Sequence, residues 1–192
     1  MDSIPTHPTK KKLNMMENTK YNKLVIFDLD GTLLDTPLPD VGKKIWEEKT
    51  GNKWPHRGWW GRADSLDIDV FDMPTIETTM VGYKEVIAEE NTLTVMMTGR
   101  LVKLKKEVNK LLEKHNLVFD LHRFNTGGET FRVKQKQILA ILNQYPEIDV
   151  IEIWEDRPEH IVRFRDLSDD WVTNGVIKSF TINIVDSEHF EK

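Results

Sequence analysis

The chain has 192 residues and a net charge of −5, which is enough for one domain with a substantial core, or one domain with a small insert. Cysteine is absent, which excludes a disulfide framework and a thiolate metal site and fits a reducing compartment. A cytoplasmic location is expected, and a nuclear one stays open. No apolar run reaches membrane-spanning length and no apolar signal core is seen, so neither membrane insertion nor secretion is expected.

Charge is distributed unevenly along the chain. Residues 1–23 carry five lysines against Asp2 and Glu17, a net charge of +3, which leaves about −8 for the remainder. The polar, basic composition predicts that residues 1–22 form a disordered tail and that residues 23–192 form the folded domain. An acidic domain argues against broad, non-specific binding of nucleic acid, which relies on neutralising phosphates.

The hydrophobic pattern predicts alternating strands and helices. Strands are predicted at 24–26, 93–97, 118–124, 148–154 and 180–185. Helices are predicted at 41–49, 79–90, 101–115, 134–145 and 158–167. This alternation predicts an α/β fold, in which a parallel sheet is covered by helices on both faces. A stretch rich in Gly, Pro, Trp and Asp interrupts it, and residues 36–78 are predicted to form a largely irregular insert.

Two carboxylates stand at the end of the first predicted strand. Asp28 and Asp30 follow Leu24-Val25-Ile26-Phe27 and precede Gly31. Side chains two residues apart in an extended segment point the same way, so the pair should converge beyond the carboxyl end of the strand, where open α/β sheets place their sites. Such close charges require a metal or a protonated carboxyl, and both suit chemistry on an anion. For an isolated Asp-x-Asp-Gly, an ordinary turn is an equally good interpretation.

Polar residues also end two other predicted strands. Thr98-Gly99-Arg100 follows the second strand, where a hydroxyl beside a glycine can hold a phosphate oxygen together with backbone N–H groups. Glu155-Asp156-Arg157 follows the fourth strand and supplies adjacent carboxylates suited to Mg²⁺. Taken alone, either motif is also compatible with a surface turn.

The string from Phe27 to Thr36 resembles the first motif of the haloacid dehalogenase (HAD) superfamily. The resemblance implies a HAD-like Rossmannoid three-layer fold and a Mg²⁺-dependent phosphatase. By position, Asp28 is the nucleophile and Asp30 the general acid and base.

The later HAD motifs follow in the same order. By resemblance, Thr98 binds the phosphoryl group, with Arg100 as a second contact. The metal ligands are Asp28, the backbone carbonyl of Asp30, and Asp156. Glu155 either binds the metal through a water molecule or is a base that contacts the metal ligands rather than the metal.

The third HAD motif supplies a lysine that steadies the negative charge on the nucleophile and the phosphate. Lys134 and Lys136 are the candidates, and Lys134 is preferred because it lies at the opening of a predicted helix. Lys136 fits a solvated helix face. The residue before Lys134 is Val133, where an aromatic residue would be expected.

Flanking motifs narrow the resemblance to the HAD-like "Swiss Army Knife RNA repair-like" family over roughly residues 23–167. The motifs that carry it are Gly58-Trp59-Trp60-Gly61-Arg62, Thr98-Gly99-Arg100 and Glu155-Asp156-Arg157-x-x-His160. The family's name implies a role in the repair of RNA ends. His160 is predicted to orient the acidic pair or contact phosphate, or else to be a solvated or helix-capping residue.

The insert holds four of the six tryptophans, interleaved with cationic residues. Aromatic and cationic side chains together can stack nucleobases and hold phosphates. Trp59, Trp60 and Arg62 are therefore predicted to bind substrate, along with Gly99 and Arg100. The alternative is that the large side chains pack the insert onto the domain. In either case, resemblance to HAD proteins implies that the insert caps the site.

A row of lysines at helical spacing in the predicted helix 101–115 is a further candidate for contact with an anionic polymer. It comprises Lys103, Lys106, Lys110 and Lys114. A solvated helix face is the favoured alternative.

Three functions are carried forward. The leading one is a Mg²⁺-dependent phosphohydrolase acting on nucleic-acid ends. The second is a phosphatase of small metabolites or nucleotides, and the third is a non-catalytic module that keeps the fold. The expected partner is a phosphorylated substrate, and the sequence indicates neither a membrane nor a protein partner.

Overall fold

The structure, a computed structural model, describes residues 21–186. Its centre is a parallel sheet of five strands in the order β3-β2-β1-β4-β5. The strands are β1 Lys23–Phe27, β2 Thr92–Leu101, β3 Leu121–Asn125, β4 Val150–Glu155 and β5 Ser179–Ile184. The predicted α/β fold with a parallel sheet is therefore confirmed.

Five α-helices and two short 3-10 helices connect the strands. The α-helices are α1 Pro39–Thr50, α2 Glu77–Val86, α3 Lys105–Lys114, α4 Thr130–Gln144 and α5 Pro158–Thr173. The 3-10 helices are Ala63–Leu66 and Val102–Leu104. The predicted helix 101–115 begins with the second of these, because β2 continues through Leu101 by pairing with β3 past an irregularity between Thr98 and Leu101. Within residues 21–186, no helix is both long and apolar enough to span a membrane.

Helices cover both faces of the sheet. On one face, Phe27 and Met96 pack in a core cluster with α2 and α3. On the other face, Ile26 and Ile153 pack in a second cluster with α4 and α5. Alternate residues of the central strands thus enter opposite clusters, as the two-residue period of a strand requires. Because the strands are parallel, their carboxyl ends lie together, and the helices on the two faces leave that end of the sheet uncovered.

The segment between β1 and α2 packs on the same face as α2 and α3. Leu34 and Thr75 form an isolated antiparallel bridge that closes its base. Its buried side chains, which include Trp59, Phe71 and Met73, belong to the same core cluster as Phe27. The predicted insert therefore shares the core of the domain, and α1 lies where a helix was predicted.

The predicted basic tail, residues 1–22, lies outside the described residues except for its last two. Tyr21 is buried at 7% exposure, and the backbone N–H of Asn22 donates to the carbonyl of Asn91 at 3.0 Å. These two residues belong to the folded domain.

Candidate active site

A cavity of about 170 Å³ opens at the carboxyl ends of β1, β2 and β4. Polar and charged residues from these strand ends, from the start of α4 and from the insert line it. They are Asp28, Asp30, Trp60, Gly99, Arg100, Thr130, Lys134, Arg157 and His160.

Lys134 joins the first and fourth strand ends at the floor of this site. Its Nζ donates to Asp28 Oδ1 at 2.8 Å and to Glu155 Oε2 at 2.7 Å. Lys134 is 2% exposed, and Glu155 is fully buried. His160 Nδ1 lies 3.3 Å from the same Glu155 oxygen, and the backbone N–H of Arg157 donates to the other, Oε1, at 3.2 Å. Two carboxylates and one ammonium are thus held together by hydrogen bonds and are largely buried.

Burial and neighbouring charges shift these groups in different directions. Burial raises the pKa of Asp28 to about 6, although Lys134 opposes the shift. Burial also disfavours the charged form of Glu155, but Lys134 and then His160 hold its pKa below the ordinary value. Burial likewise opposes the charge on Lys134, yet Asp28 and Glu155 raise its pKa. Glu155 differs from Asp28 in having a further hydrogen-bonding partner, His160, in addition to Lys134.

The carboxylate of Asp30 is held by a fully buried arginine. Arg100 is 1% exposed, and its Nη2 donates to Asp30 Oδ1 at 2.8 Å while its Nε lies 3.0 Å from Oδ2. The remaining nitrogen, Nη1, donates to the carbonyl of Trp60 at 2.9 Å and to Ser65 Oγ at 2.8 Å. Thr36 Oγ1 donates to Asp30 at 2.8 Å from the other side. Arg100 therefore ties Asp30 to the insert.

Three carboxylates converge closely enough to share a cation. Asp28, Glu155 and Asp156 can each present an oxygen such that the three atoms lie within 4.8 Å of one another. Asp156 is 6% exposed, and its Oδ1 accepts a hydrogen bond from Thr32 Oγ1 at 3.2 Å. Oxygen ligands of this kind suit Mg²⁺.

Residues 37–191 match the model of HAD domain family 1 in Swiss Army Knife RNA repair proteins. The chain belongs to this family. The matched stretch includes Lys134, Glu155 and Asp156 and begins after Asp28 and Asp30. The predicted resemblance is therefore confirmed for most of the chain. No curated protein matches the sequence.

Solved structures share the fold at low sequence identity. Two are structures of the Pnkp1/Rnl/Hen1 RNA repair complex, each with 17% identity and with TM-scores of 0.53 and 0.55. Each alignment covers 88% of this chain, but the chain spans only 45% and 48% of the matched chains. A haloacid dehalogenase-like hydrolase from Streptococcus pneumoniae matches with 13% identity and a TM-score of 0.48, covering 84% of this chain and 93% of that one.

Several residues predicted for the site of this HAD domain lie together. Asp28, Asp30, Gly99 and Lys134 line one cavity, whereas Lys136 is exposed on the surface of α4. Thr98 is 1% exposed behind the cavity wall, and its hydroxyl accepts the backbone N–H of Arg100 at 3.0 Å.

Three of the predicted substrate contacts differ from expectation. Trp59 is 3% exposed and packs against Trp54 and Phe71 in the core of the insert, so it cannot reach substrate. Arg62 does not line the cavity, and its Nε donates to the carbonyl of Arg57 at 3.1 Å. Arg100 lines the cavity, but its guanidinium is engaged by Asp30 and the insert. Trp60 alone among the predicted insert contacts lines the cavity of the HAD domain.

Sequence reasoning did not assign substrate roles to two residues that line the cavity. Thr130 begins α4 and lies against Gly99, where an added Cβ would meet Thr130 Cγ2 at 3.0 Å. Arg157 begins the turn into α5, with a partly exposed side chain. Arg157 belongs to the motif Glu155-Asp156-Arg157, which was the available signal for it, and Thr130 lies four residues before Lys134.

Proposed function

We propose that this HAD domain is a Mg²⁺-dependent phosphohydrolase that forms an aspartyl-phosphate on Asp28 and acts on the phosphorylated ends of nucleic acids. The observation that carries the proposal is the linked set of Asp28, Lys134 and Glu155, with distances of 2.8 and 2.7 Å. A carboxylate presented to a cavity beside a buried ammonium is suited to attack an anionic phosphoryl group, since the ammonium offsets the repulsion between them.

The residues at the strand ends fit a divalent cation. Asp28, Glu155 and Asp156 can each place an oxygen within 4.8 Å of the others, and a cluster of carboxylate oxygens suits a divalent cation. Asp28 and Asp156 would hold Mg²⁺ together with the backbone carbonyl of Asp30. Both oxygens of Glu155 already accept hydrogen bonds, so its main role is to hold Lys134. When bound, Mg²⁺ would neutralise charge on the phosphoryl oxygens.

The first step forms a bond between an Asp28 carboxylate oxygen and phosphorus and breaks the bond from phosphorus to the leaving oxygen. Lys134 remains against Asp28 and limits the build-up of negative charge. Thr130 and the backbone at Gly99 are placed to contact the phosphoryl oxygens from the cavity wall. In the second step, water attacks phosphorus, the bond to Asp28 breaks, and inorganic phosphate is released.

Asp30 handles the proton in both steps. It gives a proton to the leaving oxygen in the first step and takes one from the attacking water in the second. The bonds from Arg100 and Thr36 hold its carboxylate at the wall of the cavity. Because Arg100 is also bonded to the insert, the position of Asp30 depends on the insert being in place.

Two observations support a nucleic-acid end as the substrate. The family is defined on RNA repair proteins. The cavity, at about 170 Å³, is smaller than the roughly 300–1,000 Å³ of typical small-molecule sites, so most of a substrate would lie outside it. A phosphatase of small metabolites is the second candidate, because a cavity of this size also accepts an isolated phosphoryl group.

Hydrolysis of an aryl phosphate with Mg²⁺ and with EDTA tests the reaction. Wild type should release phosphate only with Mg²⁺, and Asp28→Asn should show no turnover. Asp40→Asn, which changes a carboxylate that is 96% exposed, is the matched control and should match wild type. When the phosphoryl group of the substrate is labelled, the label should stay bound to wild-type protein after an acid quench and be released by hydroxylamine. Asp28→Asn should carry no label. Turnover by Asp28→Asn would overturn the proposal.

A substrate panel then separates the two candidates. It compares oligonucleotides with a 3′- or 5′-phosphate, mononucleotides and sugar phosphates at equal concentration. A kcat/KM for one oligonucleotide at least tenfold above that for the matching mononucleotide supports the nucleic-acid end. Equal values would favour the metabolite phosphatase.

A further inference from the structure

A groove of exposed lysines runs along α3, outside the catalytic cavity. Lys103, Lys105, Lys106 and Lys110 line an open depression of about 600 Å³, and we call this surface the lysine groove. All four lysines are exposed. Lys106 and Lys110, four residues apart, lie on one side of α3, and Lys103 lies in the 3-10 helix that precedes it.

Positive charge exceeds negative charge in the lysine groove, which Asn109 and Glu113 line together with the four lysines. Within residues 21–186, none of its four lysines forms an ion pair, whereas Lys23, Lys134 and Lys178 each do. Residues 101–115 contain five lysines and two glutamates, although the whole chain carries a net charge of −5. The groove is thus a concentrated positive surface on an acidic protein, which favours an anionic partner.

The lysine groove begins next to the catalytic cavity. Two residues separate Arg100, in the cavity wall, from Lys103, so their Cα atoms are three Cα–Cα steps and therefore at most about 11 Å apart. The insert borders both features, since Trp60 lines the cavity and the 3-10 helix Ala63–Leu66 packs on α3. An extended ligand that leaves the cavity toward Lys103 would reach the lysine groove.

We propose that the lysine groove binds the sugar-phosphate backbone of a single nucleic-acid strand whose phosphorylated end occupies the catalytic cavity. This inference rests on the proposed function, because it states where the part of the nucleic-acid substrate that does not fit in the small cavity would bind. A basic groove that follows the backbone is how proteins hold single strands without reading their sequence.

Acidic residues beside the lysine groove restrict where the backbone of a bound nucleic acid can lie. A neighbouring depression, lined by Asp64, Asp67, Asp69 and Glu107, shares Lys110 with the lysine groove. These carboxylates repel phosphates on the insert side of α3. The backbone is therefore directed across Lys103, Lys105 and Lys106 rather than over the insert.

Salt dependence gives the expected size of the effect. Each phosphate neutralised in a single strand contributes a slope of about −0.7 in log K against log salt. Contact with the four lysines predicts a slope of about −3. Reversal of one contacting charge should lower affinity by roughly tenfold at low salt and reduce the slope by about 1.

The test measures binding of an unphosphorylated 12-nucleotide RNA by fluorescence anisotropy at several KCl concentrations. Lys106→Glu should show the tenfold loss and the smaller slope. Lys84→Glu makes the same charge change at an exposed position near the end of α2, shortly before the amino-terminal end of β2. This variant should match wild type. Thermal melting of both variants verifies folding. Equal losses in the two variants, or none in Lys106→Glu, would overturn the inference.

Kinetics separate this inference from the proposed function. In wild type, KM for a phosphorylated 12-mer should be lower than KM for the phosphorylated mononucleotide, and Lys106→Glu should bring the ratio toward one. RNA binding that depends on Lys106 in a protein without phosphatase activity would support the groove and reject the proposed function. Oligonucleotide hydrolysis with an unchanged KM ratio in Lys106→Glu would keep the proposed function and reject the groove.

Discussion

Arg100 holds Asp30 through both carboxylate oxygens, at 2.8 Å from Nη2 to Oδ1 and 3.0 Å from Nε to Oδ2. The same guanidinium reaches the carbonyl of Trp60 and the hydroxyl of Ser65 in the insert. An arginine can make all of these bonds because its donors are arranged in a planar fork, and a lysine in the same place has a single nitrogen. Arg100 therefore links the position of Asp30 to the insert, in addition to the hydrogen bond that Thr36 donates to Asp30.

Replacement of this arginine by lysine should reduce turnover strongly while keeping the charge. Arg100→Lys can retain one contact to Asp30 but loses the fork and at least one bond to the insert. We expect kcat on an aryl phosphate to fall by roughly 100-fold, the size of effect that a displacement of about 1 Å produces. Arg132→Lys, at a side chain that is 79% exposed, is the control and should match wild type. Equal kcat values for Arg100→Lys and wild type would contradict the positioning role.

The Arg100–Asp30 pair also shows what the sequence can and cannot predict here. Thr98-Gly99-Arg100 at a strand end predicted that this segment borders the site, and Gly99 and Arg100 line the cavity. It did not predict that the guanidinium turns inward to Asp30, because that depends on Ser65 and Trp60, which are far away in sequence. The strands and helices were predictable because each has its own apolar period.

The insert was the least predictable part for the same reason. Its tryptophans carry no period, so the sequence gives no basis for separating Trp59 in the core from Trp60 at the cavity. Close packing decides it: Gly42 lies so near Trp59 that an added Cβ would come within 2.2 Å of the ring. Such a contact between α1 and a loop exists only in the folded protein.

Binding of Mg²⁺ should weaken as pH falls through about 6. Burial raises the pKa of Asp28 to about 6, so below that pH a proton occupies the carboxylate that the metal needs. We expect calorimetry to give a lower Mg²⁺ affinity at pH 5 than at pH 7.5, with protons released on binding near pH 6. Asp156→Ala should weaken affinity at both pH values. Identical affinities at the two pH values would place the metal away from Asp28.

Glu129 should stabilise the start of α4 in a pH-dependent way. Its carboxylate accepts the backbone N–H groups of Phe131 and Arg132 at 2.9 and 3.1 Å, and Arg163 Nη1 donates to it at 2.9 Å. Burial opposes the charged form, but the bond from Arg163 and those two backbone bonds together lower its pKa to about 2. A lowered native pKa adds stability that is present above the unfolded value near 4.5 and is lost as pH falls toward 2.

Removal of that charge should therefore matter at neutral pH and little in acid. Glu129→Gln should lower the free energy of unfolding by about 0.5–1 kcal/mol at pH 7, discounted because the side chain is largely exposed. The difference from wild type should shrink between pH 4.5 and pH 2 in denaturant titrations. Glu113→Gln, at an exposed position on α3, is the control and should change neither the free energy of unfolding at pH 7 nor its dependence on pH. A difference that stays constant over this pH range would show that the charge of Glu129 is not the cause.

The last prediction separates two adjacent tryptophans of the insert. Trp59→Ala removes a ring that is 3% exposed and should cost about 3–5 kcal/mol of unfolding free energy, with parallel loss of activity on every substrate. Trp60 lines the cavity with its ring 4.8 Å from the guanidinium carbon of Arg100, and its backbone carbonyl survives substitution. Trp60→Ala should therefore lower the melting temperature less than Trp59→Ala.

If a terminal base stacks on Trp60, Trp60→Ala should raise KM for a phosphorylated oligonucleotide by roughly tenfold to a hundredfold, since stacking on one aromatic is worth about 1–3 kcal/mol. The rise for an aryl phosphate should be clearly smaller, and Trp60→Phe should recover part of the loss. Equal rises in KM for the two substrates would remove base stacking as the role of Trp60.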